Sequence, residues 1–380
     1  MKDKLLNFNW LMFAAMIALV ALGTMSIRSA GLAREAIFHG MWINNLVSAS
    51  LGLAIYFTLA AMDYRTIVRL ASPFIYGASL FFLVAVLVVG STIYGGKRWL
   101  WFFQPSEVAK LAVIVFLAWL LPFVQGFRGF FLVGIAAGVP ALLILAEPDL
   151  GTTLALVPAV IAMMLVAGVW RKGLIALLGV GLVAMAFVLG AVHEAEKPGQ
   201  DPERRAKILK CVPLRPHQVK RVKTFLFAES DPMGAGYNLR QAMIAIGSGG
   251  LRGKGFGHAE TNRLKYLPPS VSMNDFIFCV YAEETGFVGS LALLGLFATL
   301  CLTGVWSAFR AGDLSGRLIA IGVSTLIFAH MYINIAMSIG LVPITGLPLP
   351  FISSGRTFLL IVMAGLGLIQ SVNLHRNEEK

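Results

Sequence analysis

The chain has 380 residues, 58% of them hydrophobic and only 13% charged, with a formal net charge of +12 at pH 7. So little polar surface excludes a soluble globular domain of this size and indicates an integral membrane protein. Three scattered cysteines, Cys211, Cys279 and Cys301, indicate neither a disulfide framework nor a thiolate metal site.

A helix of about 20 apolar residues crosses a bilayer core of about 30 Å. Windows of that kind recur at 9–27, 41–62, 69–91, 107–124, 129–146, 152–169, 173–192, 284–309, 317–342 and 356–373. The first is long and lacks a small-residue cleavage site, so it is read as a span and not as a removable signal. The expected fold is an all-α membrane protein of about ten transmembrane helices with one large extracytoplasmic loop containing short interfacial helices. Residues 1–192 carry helices one to seven, 193–283 form the loop, and 284–380 carry helices eight to ten and a short tail.

An even number of spans puts both termini on one side. Lys2, Lys4, Arg65, Arg69, Arg128, Arg171, Lys172, Arg310, Arg317, Arg376 and Lys380 fall on that side, whereas the opposite short loops hold only Arg28, Arg34, Lys97 and Arg98. The Lys/Arg bias therefore predicts cytoplasmic termini. The segment 193–283 then lies outside the cytoplasm. Fourteen of the 31 Lys/Arg residues lie there, from Lys197 to Lys265. Such a cationic surface beside a membrane attracts anionic head groups or phosphates, which points to membrane lipids and not to nucleic acid.

Polar motifs follow in chain order. Lys97-Arg98-Trp99 precedes Gln104-Pro105-Ser106-Glu107, where Pro105 and Ser106 start a helix and Glu107 and Lys110 are i, i+3 neighbours able to pair. Glu147-Pro148-Asp149-Leu150-Gly151-Thr152-Thr153 adds two acids, with Asp149 suited to cap the next helix. Lys220, Arg221 and Lys223 sit among Val222, Phe225, Leu226 and Phe227, a pattern for a surface helix with its basic side chains toward head groups. Tyr237 to Ile246 places Leu239, Met243 and Ile246 at helical spacing with Arg240 and Gln241 on another side, which suits an interfacial amphipathic helix or a core-facing one.

The stretch Gly247-Ser248-Gly249-Gly250-Leu251-Arg252-Gly253-Lys254-Gly255 lacks the spacing of a nucleotide-binding P-loop. It reads either as a phosphate-binding turn supplied with charge by Arg252 and Lys254 or as a flexible hinge. Asp275 opens an apolar helix that reaches Glu283 and Glu284. A carboxylate at membrane depth is costly unless it faces a polar cavity or partner, so Asp275 is the leading functional candidate beside a simple dipole-capping role. For Glu283 and Glu284 structural pairing is the better reading. Pro343 to Pro350 and Phe351-Ile352-Ser353-Ser354-Gly355-Arg356 interrupt the last apolar run, as segments lining a cavity do.

Taken in order, these motifs resemble the SEDS family of cell-wall synthases and, within it, the elongation branch of RodA type. The resemblance covers essentially the whole chain. It rests on Arg98-Trp99, Gln104-Pro105-Ser106-Glu107 with Lys110, Pro148-Asp149-Leu150-Gly151-Thr152, Asp231-Pro232, Gly234-Ala235-Gly236-Tyr237, Ile244 to Gly250, Gly253-Lys254-Gly255, Leu267-Pro268, Asp275-Phe276-Ile277-Phe278, Ala282-Glu283-Glu284 and Gly286. The chain departs from the family pattern in Met273-Asn274, where His-Thr is usual, in a slightly longer segment before Asp275, in Glu147 where glutamine is common, and in Ser354-Gly355-Arg356-Thr357.

The resemblance implies a peptidoglycan glycosyltransferase of the bacterial cytoplasmic membrane that polymerises lipid II at the outer face during elongation. It also implies a class B penicillin-binding protein and other elongation-complex proteins as partners. Asp275 occupies the family's essential acidic position and is expected to act as the general base of an inverting transfer. The residues assigned to substrate contact are the cations Arg98, Lys110, Arg221, Arg252 and Lys254, together with Trp99, Glu107, Asp149, Tyr237, Gln241, Ser248 and Ser353. A divalent cation, Mg or Mn, on the pyrophosphate stays open, with Asp149, Glu107 and Asp275 as available oxygens but no recognised metal spacing. The alternatives are a flippase of lipid-linked precursors, a division-type paralogue of the same family, and a non-catalytic scaffold for the cross-linking partner.

Overall fold

The computed structural model describes residues 6–32, 40–93, 96–100, 103–197, 200–212, 214–227, 229, 231, 233–264, 266–268 and 271–376. Hydrocarbon offers no partner for a free N–H or C=O, so an apolar chain crosses it as helix. The first four long helices are α1 (Trp10–Leu32), α2 (Met41–Ala61), α3 (Tyr64–Val89, with a π-helical turn at Ile67–Ala71) and α4 (Pro105–Phe123, ending in a 3-10 turn). A two-stranded hairpin, β1 (Ser91–Ile93) and β2 (Gly96–Trp99), joins α3 to α4. Then come α5 (Gly126–Ala146), α6 (Leu150–Val166) and α7 (Arg171–Ala195). Shorter helices α8 (Pro202–Lys210), α9 (Pro216–Leu226), α10 (Ala235–Ser248) and α11 (Glu260–Arg263) lead to a π-helical turn at Val271–Asp275. Last are α12 (Ile277–Arg310), α13 (Leu314–Ser338) and α14 (Arg356–Leu374).

Among the described residues nine helices are long and apolar enough to cross a membrane, and α6, with 17 residues, is a shorter apolar one. The chain is a multi-pass membrane protein. α13 and α14 form the enclosed centre, α14 lying along α2 and α13 against α12, α6 and α4. α7 stands at the margin, with Ile175, Val180, Leu182, Val183 and Met185 exposed. Those residues face what the bilayer would supply.

The expected span 284–309 begins seven residues late, because the helix starts at Ile277. Its interruption is internal, at Gly286 (φ 68, ψ −164), a conformation open almost only to glycine. A Cβ there would lie 2.3 Å from the Gly253 nitrogen. The glycine-rich stretch runs along this break and takes up its backbone groups: Lys254 N donates to Glu283 O (3.0 Å), Gly255 N to Glu284 O (3.0 Å), Phe287 N to Gly250 O (2.8 Å) and Val288 N to Leu251 O (3.1 Å). A broken helix is tolerated at depth when neighbouring backbone replaces its lost hydrogen bonds.

The inward face of α10 is Gly236, Leu239, Ala242 and Ala245, and not the expected line of Leu239, Met243 and Ile246. Small side chains let α10 approach α12, which turns Met243 outward at 48% exposure. In α9, Lys220 and Lys223 pair with Asp231 (3.4 Å) and Glu196 (2.8 Å), while Arg221 turns inward instead of toward head groups.

The α2–α14 contact is close because glycines occupy both sides of it. A Cβ on Gly367 would meet Tyr56 backbone, 2.7 Å from its carbonyl oxygen, whereas one on Gly52 would meet the flexible Met363 sulfur at 2.4 Å. Backbone cannot yield as a thioether can. Gly367→Ala is therefore expected to cost about 1–3 kcal/mol. Gly52→Ala should cost clearly less, since side-chain movement and the helix propensity of alanine offset the contact. Thermal unfolding of the two variants in the same detergent measures the order, and an equal fall in Tm would show that the interface is loose.

Candidate active site

Asp275 ends the π-helical turn Val271–Asp275, immediately before α12. The turn is held from two sides. Asn334, buried in α13, donates from Nδ2 to the Asp275 carbonyl (2.8 Å) and to the Leu347 carbonyl (2.7 Å). From the segment after α13, Ser353 Oγ donates to Asn274 O (2.7 Å) and accepts from Leu349 N (2.8 Å), and Ser354 N donates to Met273 O (3.1 Å). Gly346 (φ +77) passes beside the carboxyl, so close that a Cβ there would lie 3.4 Å from Asp275 Oδ2.

Two guanidiniums and two further carboxyls surround this turn. Arg221 Nη1 donates to Thr345 O (2.8 Å), and Arg98 donates from Nε to Glu147 O (3.2 Å) and from Nη2 to Pro148 O. Asp149 caps α6, accepting from Thr152 N (3.1 Å) and Thr152 Oγ1 (2.9 Å), and it also accepts from Gln104 Nε2 (3.2 Å). Burial pushes the Asp275 carboxyl up to about 6, against the pull of Arg221 and Arg98. Burial likewise lowers the Arg221 guanidinium, helped by repulsion from Arg98. Glu147 is fully buried with both carboxylate oxygens unpartnered, and burial plus the neighbouring Asp149 push it to about 8.

Arg98, Asp149, Arg221 and Asp275 thus act on one another, and Ser353 braces the turn. The other sequence candidates lie outside this cluster's direct contacts among the described residues. Trp99 belongs to β2, its carbonyl accepting from Ser91 Oγ (3.2 Å). Lys110 is fully enclosed between Glu107 Oε2 (2.8 Å), His330 Nε2 (2.7 Å) and the Phe358 ring (4.9 Å), an arrangement that ties α4 to α13 and α14. Tyr237, Gln241 and Ser248 are carried on α10, where Ser248 Oγ donates to Ala245 O (2.9 Å). Arg252 is exposed at the α12 break. Lys254 is held there by Glu283 (2.9 Å) and Glu260 (3.3 Å). Glu283 also accepts from Glu260 N (2.9 Å), and Glu284 accepts from Gly257 N (3.1 Å) and Ser29 Oγ. These glutamates are structural, as their sequence setting suggested.

Asn334, His330 and Thr345 were not among the sequence candidates. The signal for the first two was available, since an amide and an imidazole inside an apolar helix are expensive and face a partner. Nothing in the sequence marked Thr345, which enters through its main-chain oxygen. Of the acids open to a cation, Asp149 has both oxygens engaged and Glu107 faces Lys110. No group of three His/Cys/Asp/Glu able to hold a metal occurs among the described residues. The donor set does not fit a divalent-metal cage built by the protein.

A base near neutrality flanked by fixed cations suits proton removal from a hydroxyl with departure of an anionic group. Known proteins point the same way. The family model described as cell cycle protein (FtsW/RodA/SpoVE) matches residues 6–378. The peptidoglycan glycosyltransferase MrdB of Escherichia coli K12 is 36% identical over 348 residues, covering 89% of this chain and 86% of that one. The peptidoglycan glycosyltransferase RodA of Treponema pallidum is 28% identical over 425 residues, covering 97% and 98%. Among solved structures, a chain of a peptidoglycan synthase complex that coordinates polymerization and crosslinking aligns with a TM-score of 0.76 at 30% identity, covering 98% and 99%. RodA of Thermus thermophilus aligns with a TM-score of 0.67 at 28% identity, covering 98% of each chain. The chain belongs to the FtsW/RodA/SpoVE family of membrane proteins, the SEDS family.

Proposed function

We propose that this protein is a peptidoglycan glycosyltransferase that polymerises lipid II into glycan strands during cell elongation, with Asp275 as its general base. The observation that carries the reading is the Asp275 carboxyl at the end of a membrane bundle, pushed up to about 6 by burial against the pull of Arg221 and Arg98. The Asp275 carboxylate takes the proton of the acceptor sugar hydroxyl as its oxygen attacks the anomeric carbon of the donor. The bond from that carbon to the pyrophosphate oxygen breaks with its electron pair, and the developing charge falls to Arg98 and Arg221. One base and direct displacement invert the anomeric centre.

The Lys/Arg distribution supports cytoplasmic termini, with 193–283 and the Asp275 cluster at the outer face. Similarity to a peptidoglycan synthase complex supports a cross-linking partner, a class B penicillin-binding protein. Elongation is favoured over division by the MrdB and RodA relatives. A flippase would need polar groups lining a path through the membrane. The buried charges inside the long helices are instead spent within the protein, Glu107 and Lys110 on each other and on His330, and Glu283 and Glu284 on groups along the α12 break.

Asp275→Asn, at equal folded yield and with the partner present, is expected to lower lipid II polymerisation by about 10²–10⁴-fold. Retention of wild-type strand synthesis would remove the base assignment. The wild-type rate should rise as pH passes upward through about 6, where Asp275 loses its proton. Arg221→Gln removes an influence that holds this carboxyl down. Its acid limb should therefore move to higher pH and its rate fall by about 10²-fold, both readable in one pH–rate series.

Glu147 gives a stability test with the opposite sign from an ion-paired acid. Its carboxyl ionises near 4.5 in the unfolded chain but at about 8 in the folded protein. Folding is therefore favoured below pH 4.5 and loses that advantage as pH rises through this window to 8. Glu147→Gln, isosteric and never charged, should unfold a few degrees higher than wild type at pH 8–9 and at the same temperature near pH 4.5. Equal Tm values at both pH values would place the Glu147 carboxyl in contact with water.

A further inference from the structure

A cavity of about 220 Å³ opens at the opposite end of the bundle, between the start of α3, the end of α4 and the start of α13. It lies at the end of the bundle where α1 begins and α14 finishes. Arg376 Nη2 donates to Asn7 Oδ1 (2.5 Å) there, and a Cβ on Gly312 would sit 2.8 Å from Arg376 O and 3.6 Å from Arg65 Nη2. At about 30 Å³ per water, the space takes a phosphate-sized group and more.

Its lining is divided in chemistry. Arg65, Arg69, Asp313 and Ser315 supply polar groups from α3 and the start of α13, and Trp119, Pro122 and Phe123 supply apolar surface from the end of α4. Asp313 orients Arg65 (3.7 Å), but its Oδ1 already accepts from Tyr64 OH (2.7 Å) and Gly316 N (2.9 Å), so much of its charge is spent on capping α13. Two guanidiniums against one carboxylate leave the cavity net positive. Arg69 is exposed. Exposed apolar side chains stand on the two helices that border the cavity, Phe123 by 76% at the end of α4 and Leu70 and Phe74 by 68% and 79% on α3 just past Arg69, a surface suited to hydrocarbon. Basic side chains set into a notch between transmembrane helices, with an aromatic at the interface and apolar surface leading into the bilayer, match the two ends of a lipid.

We infer that this cavity binds the phosphate head group of an anionic phospholipid, with Arg65 and Arg69 meeting the phosphate and Trp119 and Phe123 covering the first part of the acyl chains. The site lies on the side away from Asp275 and is independent of the catalytic reading. Its charge selects against zwitterionic lipid, and its apolar side selects against a free anion.

The full chain, purified in an uncharged detergent, would be titrated with phosphatidylglycerol, phosphatidylcholine and inorganic phosphate while thermal unfolding is followed and bound lipid is counted by native mass spectrometry. Phosphatidylglycerol alone should bind and raise the Tm. Arg69→Gln, at an exposed position, should weaken that binding about fivefold, the effect of one cation beside an anionic lipid. Lys172→Gln, an exposed cation at the start of α7 outside the cavity lining, should leave it unchanged. An equal response of wild type and Arg69→Gln would overturn the site. So would the same rise in Tm with inorganic phosphate, which would make it a free-anion site, or with phosphatidylcholine, which would make it an apolar groove.

Discussion

Asn334 gives one amide hydrogen to the carbonyl of Asp275 and the other to the carbonyl of Leu347, and the site depends on that fork. Both carbonyls belong to irregular backbone. Both segments make some backbone bonds of their own, yet the Asp275 and Leu347 carbonyls are met by Asn334, and a buried unpaired carbonyl costs about 1–3 kcal/mol. One side chain on a regular helix serves both. The irregular segments are therefore fixed relative to each other by the helix they flank. Ser353 and Ser354 complete the clasp from the other side, so the position of the Asp275 carboxyl is set by main-chain accounting before any charge is considered.

The same accounting explains the glycine-rich stretch. As a sequence it offered glycines and cations, the ingredients of a phosphate cradle. In the fold its backbone is spent on the break at Gly286, and Lys254 is spent on Glu283 and Glu260. A motif's composition was legible here but its obligation was not, because the groups it serves lie about thirty residues away and become needy only when α12 breaks. The apolar windows, by contrast, marked every long helix, since crossing length is a property of local sequence alone. Their ends slipped where a helix runs on past its apolar window inside the protein, as at Ile277, which is fully buried. The capping role of Asp149 and the pairing of Glu107 with Lys110 were readable from spacing. Arg221 was placed on the wrong face because a basic helix offers several directions, and only the Thr345 carbonyl selects one.

Electrostatics at the site follows from enclosure. Asp149 repels both Asp275 and Glu147, Arg98 opposes that on both, and Arg221 opposes it on Asp275. Asp149 is held in place by three hydrogen bonds to its carboxylate and one to its carbonyl. Glu147 has no such donors and stays protonated. Burial is what lifts Asp275 toward neutrality, and Arg221 and Arg98 limit that rise while Asp149 adds to it. A neutral Glu147 resembles in charge the glutamine common in its relatives.

Two of the chain's departures from the family pattern, Met273-Asn274 and the segment beginning at Ser354, meet in space. Ser354 N bonds the Met273 carbonyl, and the adjacent Ser353 bonds that of Asn274. Both contacts use main-chain acceptors on the turn, which any side chain at 273 and 274 presents equally. What the substitutions alter is the surface around the clasp: Met273 is fully buried, and Arg356 projects exposed from the first position of α14. A cation at a helix N-terminus is unfavourable with respect to the dipole, so nothing in local helix stability calls for it. The turn that carries Asp275 is thus held by contacts indifferent to these side chains, and the exposed Arg356 can vary without disturbing them.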